Sequence, residues 1–226
     1  VVQNFVQTWE YFKPMRDQTF VDQEQRYVLL HRPDGIPDIL QFIEHGTLQL
    51  VAQAEIIGHM AQTLSNSVLH NYHHLGDAAS ITDGLPYNPN LGPYEVAPDG
   101  RSSGVKDDMW AFTSRDPNRD LRAATMFAAA SRALKGYNDD LSERALFQSK
   151  RLLKEATELL ANAPPQETPS FMGGAADVAT NLQLFISTAE QQYADKFLEL
   201  LWPALDRSLS FVILTALHAI PHMNTS

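Results

Sequence analysis

The sequence predicts an all-α fold built from antiparallel helical hairpins. Three observations carry this. Apolar residues recur at three- and four-residue steps in seven stretches, no stretch alternates with period two over a useful length, and most of the links between stretches are short and carry Pro, Gly or Asp. Short links make consecutive helices antiparallel neighbours, and helical pairs of uneven length also build closed α/α toroids.

The first stretch, 1–12, places Val2, Phe5, Val6, Trp9 and Phe12 on one face, and Pro14 ends it. Residues 14–34 read as polar and irregular apart from a short apolar run at 27–30. The second helix opens at Asp34-Gly35-Ile36-Pro37-Asp38, with Pro37 expected in the first turn and Asp38 at the positive end of the dipole. It keeps Ile39, Leu40, Ile43, Leu50, Val51, Ala54 and Ile57 on one face to about Met60, and Gly46 and Gly58 are expected to mark close helix–helix approach. A third helix follows Pro117-Asn118-Arg119-Asp120, with Leu121, Ala124, Phe127, Ala128, Ser131 and Leu134 inward and Gly136 as its stop. Ser142 is the expected cap of a fourth helix running to Ala161 with Ala145, Leu146, Leu152, Leu153, Ala156 and Leu159 inward, and Pro164-Pro165 breaks it. Gly173-Gly174 opens a fifth at 175–188. A sixth runs to Pro203, and a seventh occupies 209–220, closed by Pro221.

Composition narrows the partners. Hydrophobic residues make up 44% and charged residues 19%, enough to bury a sizeable core. A net charge of −10 opposes nucleic acid and anionic membranes, and favours an uncharged or cationic ligand. The absence of cysteine excludes disulfides, thiolate metal sites and cysteine nucleophiles. The best apolar run, 209–220, is too short to span a bilayer, and no signal peptide is visible. Helical periodicity is already running at Val1, and the chain stops just after an apolar helix. Residues 1–226 therefore read as one segment of a larger domain, truncated at both ends.

Chemistry concentrates in the stretch between the second and third helices, residues 70–110. It is too long for a plain connection and too aromatic for disorder. His70, His73 and His74 with Asp77 have the donor types of a zinc or other divalent-metal site, but their spacing matches no metalloenzyme signature. The same imidazoles could instead bind a polar ligand or satisfy loop backbone groups. The loop acids Asp77, Asp83, Glu95, Asp99, Asp107 and Asp108 could include a glycosidase pair, which needs two carboxylates about 5–9.5 Å apart. Most of them read as turn formers, as in Asp83-Gly84 and Asp99-Gly100. Tyr72, Tyr87, Tyr94 and Trp110 could stack on sugar faces or anchor the loop. Phosphate-binding glycine loops and Gly-x-Ser-x-Gly elbows are absent.

Four segments in order resemble glycoside hydrolase family 9, the cellulase and endoglucanase family. Gly35-Ile36-Pro37-Asp38-Ile39-Leu40 is similar to the family's helix opening G-I-P-D-[IL]-L. Tyr72-His73-His74-Leu75-Gly76-Asp77 resembles its V-Y-x-K/Q-V-G-D segment, and AATMFAAASR from Ala123 to Arg132 resembles its alanine-rich helix. Leu184-Phe185-Ile186-Ser187-Thr188 with Tyr193 loosely matches its Ala-Thr segment. The resemblance implies part of an (α/α)6 barrel, inverting hydrolysis of β-1,4-linked glucans, and a secreted or periplasmic location. It also implies that the catalytic residues lie elsewhere. The family's Asp-Ala-Gly-Asp base motif and its late acidic glutamate have no counterpart in residues 1–226, so no catalytic residue is assigned here. The acid pair that helps the family bind calcium is replaced by Ala175 and Ala176, and no metal or other cofactor is expected.

The expected role of this chain is therefore sugar binding by Trp110, Tyr72, His73 and His74, with Asp77 and Arg115 as lesser candidates. The 70–110 loop would line a cleft. The expected partners are a β-glucan or oligosaccharide and the remainder of the catalytic domain. The competing readings are a non-catalytic α/α-hairpin module that binds a glycan or a protein, and a metal-dependent hydrolase using the histidines.

Overall fold

The computed structural model describes residues 1–62 (except 23 and 26), 64–66, 83, 85–107, 109–111, 114–162 and 174–223. Among them are six α-helices and two short antiparallel hairpins, and the chain divides into a helical unit, 1–60 with 116–226, and a second unit, 61–115.

In the helical unit, α1 (Val2–Phe12) ends where Lys13 turns left-handed and returns its N–H to the Trp9 carbonyl. The link to α2 (Asp38–Ile57) holds the first hairpin, β1 (Thr19–Asp22) against β2 (Tyr27–Leu30), with Thr19 opposite Leu30 and Asp22 opposite Tyr27. That region was expected to be irregular. All of β2 is exposed, so neither face carries the burial that writes period two into a sequence. Pro37 is the residue before α2 rather than in its first turn. Asp17 takes the N–H groups of Asp34 (3.0 Å) and Gly35 (2.7 Å), which sets the entry to the helix. The two α2 glycines differ in purpose. A Cβ on Gly46 would lie 2.6 Å from Val2 Cγ2, so it marks a close approach of α1, as expected. Gly58 instead caps the helix in the left-handed region, with open space where its Cβ would be.

The centre of this unit is α3 (Pro117–Leu134). Asp116 caps it by accepting the Asn118 N–H, and Pro117 occupies the first helical position. Every residue from Ala123 to Ser131 is buried, because alanine lets neighbours approach on all sides. Its partner α4 (Asp139–Ala161) begins four residues earlier than expected, with Asn138 as the cap accepting the Leu141 N–H. Ser142 is therefore no cap. It is buried inside the helix and donates to the Ser131 carbonyl at 2.7 Å. The inward stripe of α4 is also more polar than expected: Gln148 and Ser149 are buried, whereas Leu159 is 41% exposed.

Next, α5 (Ala175–Thr188) has the bounds the sequence indicated, with Gly174 at φ 83° before it. The expected sixth and seventh helices meet as α6 (Gln191–Ala219), which a single-turn 3-10 helix, Ile220–His222, extends. A kink at Ser208 separates them, so the seventh begins at Leu209 as the sequence indicated. Pro203 does not stop the sixth. The ring sits on the exposed face of the helix. The kink falls instead at Ser208 (φ −152°, ψ 58°). Fused in this way, Gln191–His222 is long and apolar enough to cross a membrane by length and composition, which 209–220 alone was not. One such helix is weak evidence for a span. Its inward residues Phe197, Leu201, Ala204 and Val212 pack on α5 with Val178 and Leu182.

Hydroxyl groups tie α3 to both flanking helices. Ser142 and Ser149 of α4 donate to the carbonyls of Ser131 and Ala124, and the Thr180 and Ser187 hydroxyls of α5 each lie between a carbonyl of α3 (Leu121, Ala128) and one of their own helix (Ala176, Gln183), all within 2.9 Å. The main apolar core lies among α1–α4, with Val6, Ile43, Val51, Phe127, Leu134, Leu141 and Leu152 fully enclosed. Three further bonds fix the helical unit at the point where the chain leaves it. Fully buried Asp120 accepts the Met60 N–H at 2.9 Å, and Arg151 caps α2 by donating to the carbonyls of Gly58 (2.7 Å) and Ala54 (3.0 Å).

In the second unit, β3 (Leu64–Asn66) pairs antiparallel with β4 (Met109–Ala111) and closes the base of the long loop. The segments flanking that loop were expected to be helical. Instead α2 ends at Ile57, and a strand ladder takes over on both sides.

Candidate functional site

Tyr72, His73, His74 and Asp77 lie outside the described residues. Trp110 occupies the middle of β4, directly across from Ser65. Arg115 is exposed five residues further on. Of the six expected sugar-binding residues, these two have a described place.

The loop that precedes β4 is a tightly bonded structure from Leu85 to Asp107. Ser103, wholly buried, gives its N–H to Pro86 O (3.0 Å) and its carbonyl to Asn88 N–H (2.7 Å). Gly104 N–H reaches Glu95 O at 2.8 Å, and Ala97 N–H reaches Ser102 O at 2.9 Å. Gly104 must be glycine, since a Cβ there would sit 1.9 Å from the Gly92 carbonyl oxygen. The loop acids fasten this backbone. Asp83 accepts the N–H of Leu85, Asp99 that of Arg101, Glu95 that of Gly92, and Asp107 that of Asp83. This bears out the turn-forming role read for Asp83 and Asp99. Asp108 lies outside the described residues. Tyr87 is half-buried, with Lys106 Nζ 5.9 Å from its ring centre. Tyr94 is 85% exposed at φ +68°.

The helical unit holds two polar clusters that periodicity could not reveal, because their members are far apart in sequence. In the first, buried Glu44 accepts Tyr137 Oη (2.9 Å) and Asn138 Nδ2 (2.6 Å). Burial and this carboxylate push the Tyr137 phenol well above its ordinary range. In the second, the Arg132 guanidinium binds Glu10 (2.7 Å), Gln183 Oε1 (2.8 Å) and Ser187 Oγ (2.8 Å), joining the ends of α1, α3 and α5. Beside it, Tyr11 Oη lies 2.7 Å from His218 Nδ1, and the His218 and His222 rings are 5.5 Å apart. The buried Nε2 of His218 has no partner among the described residues.

Burial holds His218 and His222 below the ordinary histidine value of 6.5. The His222 and Arg132 charges lower His218 further, Arg132 lowers His222, and Glu10 opposes both shifts. The folded state thus binds these protons less readily than the unfolded chain does. Their contribution to stability is present above about pH 6.5 and is lost as the pH falls through the lower folded values. Urea midpoints should accordingly fall between pH 7 and 5, and the fall should shrink in a His218→Gln/His222→Gln variant. An unchanged slope in that variant would assign the acid sensitivity to other groups.

Among the described residues no three His, Asp or Glu side chains converge in a way that could hold a metal.

No protein-family model matches the sequence, and no curated protein matches it significantly. Solved structures do. A metagenome-derived glycoside hydrolase family 9 endoglucanase superposes with a TM-score of 0.51 at 16% identity, covering 88% of this chain and 31% of its own. A GH9 protein from Bacteroides ovatus gives 0.50 at 15% identity, covering 88% and 33%. The chain spans about a third of the length of these neighbours. Over most of its length it carries the all-α fold of part of a glycoside hydrolase family 9 protein.

Proposed function

We propose that this chain is the middle segment of an inverting β-1,4-glucanase of the family 9 type, acting on a β-glucan or a related oligosaccharide. The observation that carries this reading is the fold likeness to two family 9 proteins over 88% of the chain, in the same stretch where four family-like sequence segments occur in order. The segment supplies sugar-binding residues rather than the reacting carboxylates. Trp110, Tyr72, His73 and His74 bind the glycan, with Asp77 and Arg115 assisting, and the base and acid come from the rest of the domain. An extracellular or periplasmic location fits a polymeric substrate.

The test is kinetic. In the protein that carries this chain, cello-oligosaccharides should be hydrolysed with inversion at the anomeric carbon, observable by proton NMR. Trp110→Ala should raise KM for oligosaccharides roughly tenfold, the loss expected for one aromatic stacking contact worth about 1.4 kcal/mol. Unchanged kinetics would remove Trp110 from the site. One other reading is a glycan-binding module without activity, which flanking sequence lacking an upstream Asp-Ala-Gly-Asp motif and a late downstream glutamate would support. That module would bind cello-oligosaccharides and turn none over.

A further inference from the structure

The turn Gly92-Pro93-Tyr94-Glu95 places an aromatic residue where a turn of its type asks for glycine. Glu95 N–H closes it onto Gly92 O at 3.0 Å, proline takes the second position, and the third has φ +68°, which is the arrangement of a type II turn. Glycine is the usual third residue because a side chain there strains the backbone, and a bulky one is a true outlier. The loop uses glycine freely elsewhere, at Gly92, Gly100 and Gly104.

The turn cannot relax away from this strain. Glu95 grips it twice, its carboxylate taking the Gly92 N–H (2.8 Å) and its carbonyl the Gly104 N–H (2.8 Å). The returning chain at Gly104 passes so close to the Gly92 carbonyl that no Cβ fits between them. Nor does the ring serve the loop's own packing, being 85% exposed, whereas Tyr87 is half-buried. A strained, rigid backbone that presents an unpacked aromatic ring is arranged for something outside the loop.

We propose that Tyr94 is a stacking platform for a pyranose ring of a neutral β-glucan. This rests on the β-glucan reading above and adds a binding residue to it. The face of a β-linked glucose ring is lined with C–H groups and packs on the face of a phenol ring. A ring fixed by its backbone loses little freedom when it is covered. The net charge of −10 suits an uncharged polymer and disfavours an anionic one.

Tyr94→Gly separates this role from a structural one, because glycine is the residue the turn prefers. In the protein that carries the chain, Tyr94→Gly should keep or raise the thermal midpoint and weaken cellohexaose binding by calorimetry about fivefold or more. Tyr94→Trp should retain binding. Unchanged affinity in Tyr94→Gly, with the wild type binding cellohexaose, overturns the platform and leaves the β-glucan reading standing. Failure of the wild type to bind any β-glucan overturns both. A lowered thermal midpoint in Tyr94→Gly with affinity intact makes the ring a packing element and likewise overturns the platform.

Discussion

Phe127→Ala is expected to lower the thermal midpoint of unfolding by roughly 8–16 °C, the consequence of losing about 4 kcal/mol. Phe127 lies in the middle of α3, fully enclosed, within the core shared by α1, α2, α3 and α4. Truncation removes most of a buried ring and leaves a cavity. The ring belongs to a core with Val6, Ile43, Val51, Leu134, Leu141 and Leu152, all fully enclosed and so with little freedom to swing into the space. The control is Phe147→Ala on α4. That ring is 63% exposed, and its loss should move the midpoint by no more than a surface substitution does. Calorimetry of the two variants compares one residue type in two environments. Equal effects would mean that α3 is not the centre of the core.

Arg132→Met is the second large effect, at about 3 kcal/mol. The arginine side chain is 15% exposed and its partner Glu10 is 26% exposed, so the pair is screened less than a surface ion pair but more than one deep in a core. Methionine fills similar volume, so the cost comes from what is left behind. Glu10 loses both its guanidinium bonds, and Gln183 Oε1 and Ser187 Oγ lose a donor. Most of the loss should be electrostatic, and Glu10→Gln added to Arg132→Met should restore a substantial part of it. Urea denaturation of the single and double variants gives the coupling directly. If the double variant is as unstable as the single one, the arginine acts by packing and by its bonds to α5 rather than through Glu10.

Both residues also show what the sequence could and could not convey. Phe127 was legible, because its place in the stripe Leu121, Ala124, Phe127, Ala128, Ser131 and Leu134 follows from helical spacing alone, and that whole stripe is buried. The bounds of α5 were legible for the same reason, with a glycine before it and a clean apolar face. Arg132 was legible only as the end of a helix. Its partners lie about 50 and 120 residues away, and no local pattern announces them. The start of α4 was misplaced because Asn138 and Ser142 are both good caps, and only the tertiary contact to the Ser131 carbonyl shows that Ser142 is spent on another helix. The end of the sixth helix was misplaced at Pro203, which breaks a helix by rule but is tolerated on an exposed face, whereas the break itself falls at Ser208, just before the expected start at Leu209. In the loop, composition picked out the aromatics as a group. The left-handed backbone of Tyr94 depends on the closure of a turn by Glu95 and Gly104, so composition could not single it out.

The four hydroxyl bonds onto α3 carry a consequence for how this segment can change over time. Their acceptors are main-chain carbonyls, which every substitution in α3 leaves in place. Sliding α4 along α3 by half a helical turn, about 2.7 Å, would take the Ser142 and Ser149 hydroxyls off their carbonyls. Ser142 and Ser149 thereby favour one axial alignment of α4 on α3, whereas Thr180 and Ser187 can each fall back on a carbonyl of α5. The alanines of the central helix are free to drift among small residues, while Leu121, Phe127 and Leu134 hold the core. A helical segment can then keep its alignment while most of its residues are replaced.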